Sequence, residues 1–179
     1  DLLHFLRETF RLIAESQGNA ERVYPFWQQN QDKLIPELIE VLHEWTTKTL
    51  AEVSAEQAQG IAGGLVIFGS LIGQFSLGNK AVNLELAINA YQLALTVFTR
   101  EDFRVKWAAT QNNLGNAYRE RILGDKAQNI EAAIEAYEKA LTVRTREDFR
   151  VEWAGTQNNL GAAYRSRILG DKAQNIETA

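Results

Sequence analysis

The chain has no cysteine, which excludes a disulfide framework and thiolate chemistry. It has no methionine either, so the expectation is that its natural start is missing and no targeting signal is read from it. With only two prolines and no strand-like alternation, the composition points to helix throughout. Long apolar runs are lacking. The most apolar stretch, GIAGGLVIFGSLIG (60–73), is glycine-rich and too short to cross a bilayer, so a buried helix and no membrane partner are expected. Basic excess is lacking as well. Residues 1–77 carry five Lys/Arg against ten Asp/Glu and residues 78–179 carry fourteen against thirteen, a balance that argues against nucleic acid.

What the chain does contain is repetition. Residues 78–123 and 124–169 match at 34 of 46 positions, and a third copy opens with GDKAQNIETA at Gly170. The expectation is a piece of a longer array. Each copy holds two helical stretches. In one, from about Arg104 to Leu123, the residues Trp107, Gln111, Leu114 and Tyr118 form a single stripe. The other starts near Lys126, where Asp125 and Gln128 have capping-box spacing, and its face is Ile130, Ala133, Ile134, Tyr137, Ala140 and Leu141. Neither stripe is buried by its own helix, so stacked neighbours must cover both.

Shifting back by 46 residues gives a degraded copy in which Phe68, Gly69 and Ile72 replace Leu114, Gly115 and Tyr118, and Val66 and Ile67 stand at the asparagine positions. On its second helix Val82, Leu86 and Leu93 form an extra apolar stripe, and the three short helices of residues 1–52 are the expected cover. Ser54 and Gln57 again have capping-box spacing.

Leu114-Gly115-x-x-Tyr118 followed by Ala133-x-x-x-Tyr137-x-x-Ala140 resembles the tetratricopeptide repeat signature. Two insertions of six residues separate this 46-residue unit from the 34-residue repeat of that family. The longer pattern is similar to repeat regions of cyanobacterial multidomain proteins, where such arrays commonly precede a caspase-like CHAT domain or another effector. The resemblance implies an all-α protein, an α-solenoid of antiparallel helix pairs forming a tetratricopeptide-like superhelix. A helical N-terminal cap would span residues 1–53. The repeats would span 54–179: a degraded capping repeat at 54–98, then helix pairs at 99–144 and 145–179. It also implies a cytoplasmic scaffold or adaptor region that binds a peptide or partner domain in a concave groove.

Chemistry is poorly supplied. His4 and His43 lie outside the repeats, and no metal, phosphate-loop or nucleophile motif occurs, so no enzyme activity and no cofactor are expected. Gly60, Gly63 and Gly64 are explained by close helix packing. Trp107, Tyr118, Trp153 and Tyr164 belong to packing stripes. Arg121 and Arg167 are expected to snorkel or to meet the last carbonyls of their helices.

The candidate contact residues are the asparagines of TQNNLG, at 110–115 and again at 156–161. Asparagine is a mediocre helix former, so its pairing calls for a reason. With Leu114 at zero, Asn112 falls at about 160°, Asn116 at about −160° and Arg119 at about 140°, away from the core stripe, with Asn113 on the flank at about −100°. In the related family, kinesin light chain for instance, similarly placed asparagines hold a bound peptide's backbone. The resemblance therefore assigns Asn112, Asn113, Asn116, Arg119, Asn158, Asn159 and Arg165 to the groove, the arginines serving acidic groups. Two alternatives stand beside it: the asparagines bridge adjacent repeats or face water, and the array is a spacer or self-association module that pairs through its truncated repeat end.

Overall fold

The computed structural model describes residues 1–170 and 172–179; Asp171, in the opening of the third copy, lies outside them. Among the described residues the chain is helical without strands. In order, the helices are α1 (Leu2–Ser16), α2 (Ala20–Gln29), α3 (Glu37–Glu52), α4 (Ala55–Gln74), α5 (Lys80–Leu95), α6 (Arg104–Glu120), α7 (Lys126–Leu141), α8 (Arg150–Arg165) and α9 (Lys172–Thr178), with a 3₁₀ turn at Gln31–Lys33. The chain divides into two compact units, Asp1–Val97 and Phe98–Ala179. No helix is long and apolar enough to cross a membrane among the described residues.

Local signals start most of these helices. Asp1, Asn19, Asn79 and Asp125 each accept a backbone N–H of the first turn through the side chain. Ser54 and Gln57 close a reciprocal capping box at α4. In α2, Pro25 sits inside the helix, and Asn30 Nδ2 takes the Phe26 carbonyl at 2.8 Å where the helix gives way to the 3₁₀ turn. The second of the three short helices is thus followed by a separate 3₁₀ turn.

In the first unit α4 and α5 form a hairpin, α1 packs on α2, α3 and α4, and α3 packs on α5. Trp27 is fully buried at its centre, its Nε1–H donating to Thr9 Oγ1 at 3.1 Å, with Phe68 and Phe75 edge-on at 5.8 and 5.5 Å. The extra stripe of α5, Val82, Leu86 and Leu93, is buried. Across the α3–α5 contact His43 Nε2 lies 2.7 Å from Asn89 Oδ1, which gives this histidine a packing role.

In the second unit α6 and α7 form the corresponding hairpin, α8 packs on α7 and beside α6, and α9 packs on α8. Ile130, Ala133, Ile134, Tyr137 and Ala163 make one core cluster, and Ala108, Ala140 and Val143 another. The stripes read from the sequence are the faces that meet.

Two devices recur at a 46-residue shift. The first is a tyrosine ring laid on a glycine. A Cβ on Gly115 would fall 2.6 Å from Tyr137 Cε1, and one on Gly69 would fall 2.8 Å from Tyr91 Cε1. The tyrosine hydroxyls then meet the next residue of the facing helix, Asn116 Oδ1 at 2.7 Å and Ser70 Oγ at 3.1 Å. The second is a buried asparagine that holds the turn between helices. Asn83, Asn129 and Asn175 donate through Nδ2 to the carbonyls of Leu77, Leu123 and Leu169 at 3.0, 2.9 and 3.2 Å. The glycines of these turns, at 78, 124 and 170, have φ of 77°, 80° and 85°. The helix expected to run to Leu123 stops at Glu120, where Arg121 leaves the helical conformation with ψ of 131°, and residues 121–123 belong to the turn that Asn129 holds.

Close packing does not account for the glycines of QGIAGG. A Cβ on Gly60 or Gly63 would meet nothing within 4 Å, and one on Gly64 would make ordinary contact with Phe10 at 3.4 Å. The helix glycines pressed by a tyrosine ring are Gly69 and Gly115. Gly115→Ala is expected to cost about 1–3 kcal/mol by forcing Tyr137 off its seat. Gly155→Ala, where the added methyl meets open space, should instead raise stability by about 0.5–1 kcal/mol. Urea unfolding of the two variants checks both signs.

Candidate functional site

The asparagine pairs lie on α6 and α8, each antiparallel to α7, and Asn112 meets both Thr156 and Asn159. The contacts form one chain with a determined polarity. Arg144 Nη1 donates to Thr156 Oγ1 at 3.0 Å. A guanidinium only donates, so the threonine hydroxyl must accept there and spend its one proton elsewhere. It donates to Asn112 Oδ1 at 3.0 Å. The same oxygen accepts Asn159 Nδ2–H at 3.2 Å. Asn112 Nδ2 and Asn159 Oδ1 are left outside this junction, a donor and an acceptor on neighbouring helices, and neither has a hydrogen-bond partner among the described residues.

The seven expected contact residues therefore separate. Asn112 and Asn159 are half-buried and bonded to each other. Asn116, which helical phase sets away from the core stripe, is half-buried and accepts the Tyr137 hydroxyl. The long tyrosine reaches around the glycine to find it, which a helical wheel does not register. Asn113 is half-buried and Asn158 exposed, and neither makes a hydrogen bond among the described residues. Arg119 is half-buried and Arg165 exposed; neither has an ion-pair partner among the described residues. Ala162 stands where Asn116 would recur.

Electrostatics around the junction follow from burial. Desolvation pushes the Tyr137 hydroxyl up to about 12, with Arg119 pulling it down and Glu120 pushing it up by smaller amounts. Burial also lowers the pKa of the Arg144 guanidinium, opposed by the charge of Glu152. Beneath Arg144 is a cavity of about 240 Å³ lined by Val105, Ala108, Ala109, Val143, Phe149 and Glu152.

Two residue sets carry more than the sequence assigned to them. Arg144 is the polarising donor, and its counterpart in the preceding copy is Phe98; that difference within Leu-Thr-Val-x-Thr-Arg was the available signal. The second set is Asn83, Asn129 and Asn175, whose recurrence in all three copies marked them as well as TQNNLG was marked. Arg167 binds Glu131 through Nε and Nη2 at 2.7 and 3.0 Å and lies over the Tyr164 ring, so it ties α7 to the turn after α8 rather than snorkelling. Trp107 and Trp153 are each covered by an arginine, Arg100 at 5.8 Å and Arg146 at 5.7 Å.

Comparison with protein-family models, with curated proteins and with solved structures gives no match for this chain.

Asn112→Ala strands two donors, one of them the hydroxyl of the fully buried Thr156, and is expected to cost about 1–3 kcal/mol. Asn158→Ala should stay within about 0.5 kcal/mol of the parent. Thermal unfolding of both variants separates a bonded amide from an open one. The raised pKa of Tyr137 has a definite sign. Its contribution is fully present below the ordinary tyrosine value of about 10. It is lost as pH rises through the folded value of about 12, because the unfolded chain ionises first. Burial also raises Tyr24 and Tyr164, so alkaline titration of phenolate absorbance should show several late ionisations in the native protein, with a last step that belongs to Tyr137. The same titration of Tyr137→Phe should lack it.

Proposed function

We propose that the repeats bind an extended peptide segment of a partner protein, with the open amide groups of α6 and α8 pairing with its backbone. The observation that carries this reading is the determined polarity of the Asn112–Asn159 pair. Its outward donor and acceptor are the complement of one peptide C=O and N–H. That pairing is indifferent to the side chains of the peptide, as suits an adaptor. Asn113 and Asn158 would extend the row, and Arg119 and Arg165 would take acidic groups. On this reading the hairpins are tetratricopeptide-like, stack as an α-solenoid, and serve a cytoplasmic multidomain protein as its binding region, with a helical cap at the N-terminal end.

The second reading is a spacer or self-association module. What favours it is that Asn112, Asn116 and Asn159 each spend one polar atom inside the protein. The readings part at Asn113 and Asn158, whose amides make no hydrogen bond among the described residues. In a peptide-display selection against the 179-residue chain, the parent is expected to enrich extended peptides that an Asn113→Ala/Asn158→Ala variant of equal melting temperature binds about tenfold less well, since two hydrogen bonds are worth roughly 1–3 kcal/mol together. Equal enrichment on parent and variant, or none on either, favours the spacer.

A further inference from the structure

The first unit holds a cleft of about 720 Å³ between α1, the end of α3 and the first half of α4. Its walls are apolar: Phe10, Ile13, Trp45, Val53, Ile61 and Ile67. Among the described residues the polar side chains that line it are the neutral Gln17 and Gln57. The walls are closely packed. Phe10 packs against Trp45 at 4.9 Å and Phe68 at 5.5 Å, and the α1 end is so close to α4 that a Cβ on Gly18 would fall 2.6 Å from Ile67 Cγ2. Its floor is bare backbone, for Gly60 and Gly63 line it and have open space where a side chain would be.

We infer that this cleft receives the apolar face of an amphipathic helix whose flanks carry Lys and Arg. Charge selects this occupant. The segments that form the walls carry Glu44, Glu52 and Glu56 against Lys48, while Arg11 is paired with Glu8 and Glu15 at 2.7 and 2.8 Å, a trio that adds one further negative charge. Glu56 shares one stripe of α4 with Gly60, Gly63 and Ile67, at i, i+4, i+7 and i+11, so a carboxylate stands at the head of the glycine floor. Glu52 and Glu56 are exposed and without ion-pair partners among the described residues. The whole unit, residues 1–97, has six Lys/Arg against eleven Asp/Glu. A fatty acid would bring a carboxylate into that field, whereas a basic helix brings the opposite charge. The shape agrees. From Gly60 to Ile67 the floor runs two turns, about 10 Å, the length over which a docked helix sets down anchors at i, i+3 or i+4, and i+7. Absent side chains let the two backbones approach.

The test is fluorescence anisotropy of a labelled Leu/Lys amphipathic helical peptide titrated with the 179-residue protein. Saturable binding is expected. It should weaken about tenfold or more in Gly60→Leu/Gly63→Leu, which fills the floor, and in Glu52→Lys/Glu56→Lys, which alters exposed positions only. Circular dichroism melts accompany both variants, so that the second decides the matter if the first unfolds. Replacing the peptide's lysines by glutamates should abolish binding. The inference is overturned if the Leu/Lys peptide does not saturate, if the Leu/Glu peptide binds as well, or if binding survives in a folded filled-floor variant. It is equally overturned if dodecanoate displaces the peptide at lower concentration, which would make this an acyl-chain site. Dimerisation of the protein alone by sedimentation, abolished by filling the floor, would make the occupant a second copy and would also overturn it.

Discussion

The spacing of every full hairpin depends on a tyrosine ring lying on a bare glycine. Tyr137 on Gly115 and Tyr91 on Gly69 set how near the two helices come, because nothing smaller than a ring edge separates side chain from backbone there. Dispersion rewards such contact steeply and a methyl group in the gap reverses it. Once the helices sit at this distance, the hydroxyl arrives at the next residue along, Asn116 or Ser70, and the ring edge is satisfied at both ends. The turn asparagine can then span from the second helix to the last carbonyls of the first. Hairpin closure, tyrosine satisfaction and turn geometry are one coupled arrangement.

The degraded first hairpin shows what happens when one component is exchanged. Position 75 holds Phe where the later copies hold Arg121 and Arg167. Those arginines point Nη1 at the turn asparagines, 3.4 Å from Asn129 Oδ1 and 3.5 Å from Asn175 Oδ1. In the first hairpin the donor is gone, and buried Asn83 Oδ1 has no hydrogen bond. In return Phe75 is buried against Tyr24 and Trp27. A polar partner of the turn has been traded for an aromatic anchor of the N-terminal helices.

Most of the helical architecture was legible because its signals are local and periodic. Helix starts followed Asn, Asp and Ser caps, and buried faces followed stripes such as Ile130, Ala133, Ile134 and Tyr137. The covering of Val82, Leu86 and Leu93 was legible from apolar residues standing where polar ones recur. What sequence could not convey was reach and direction. A helical wheel places Asn116 outward but does not contain the length of a tyrosine. It places Asn112 away from the core stripe and Asn159, the counterpart of Asn113, on the flank, but says nothing of which amide atom turns inward, since that is decided by Arg144, thirty-two residues beyond Asn112. Glycine in a helix reads the same whether a ring lies on it, as at Gly69, or nothing does, as at Gly60.

Arg144 has a bearing on how such a chain finds its own fold. Near-identical copies invite exchange, since a hairpin displaced by a whole copy offers its neighbour almost the same surface, and repeat proteins characteristically misassemble in that way. At the position of Arg144 the preceding copy has Phe98. A displaced hairpin would therefore bring an aromatic ring to the Thr156 hydroxyl and leave it without a donor. The single guanidinium thus makes two otherwise near-identical copies chemically distinct at the surface that meets Thr156.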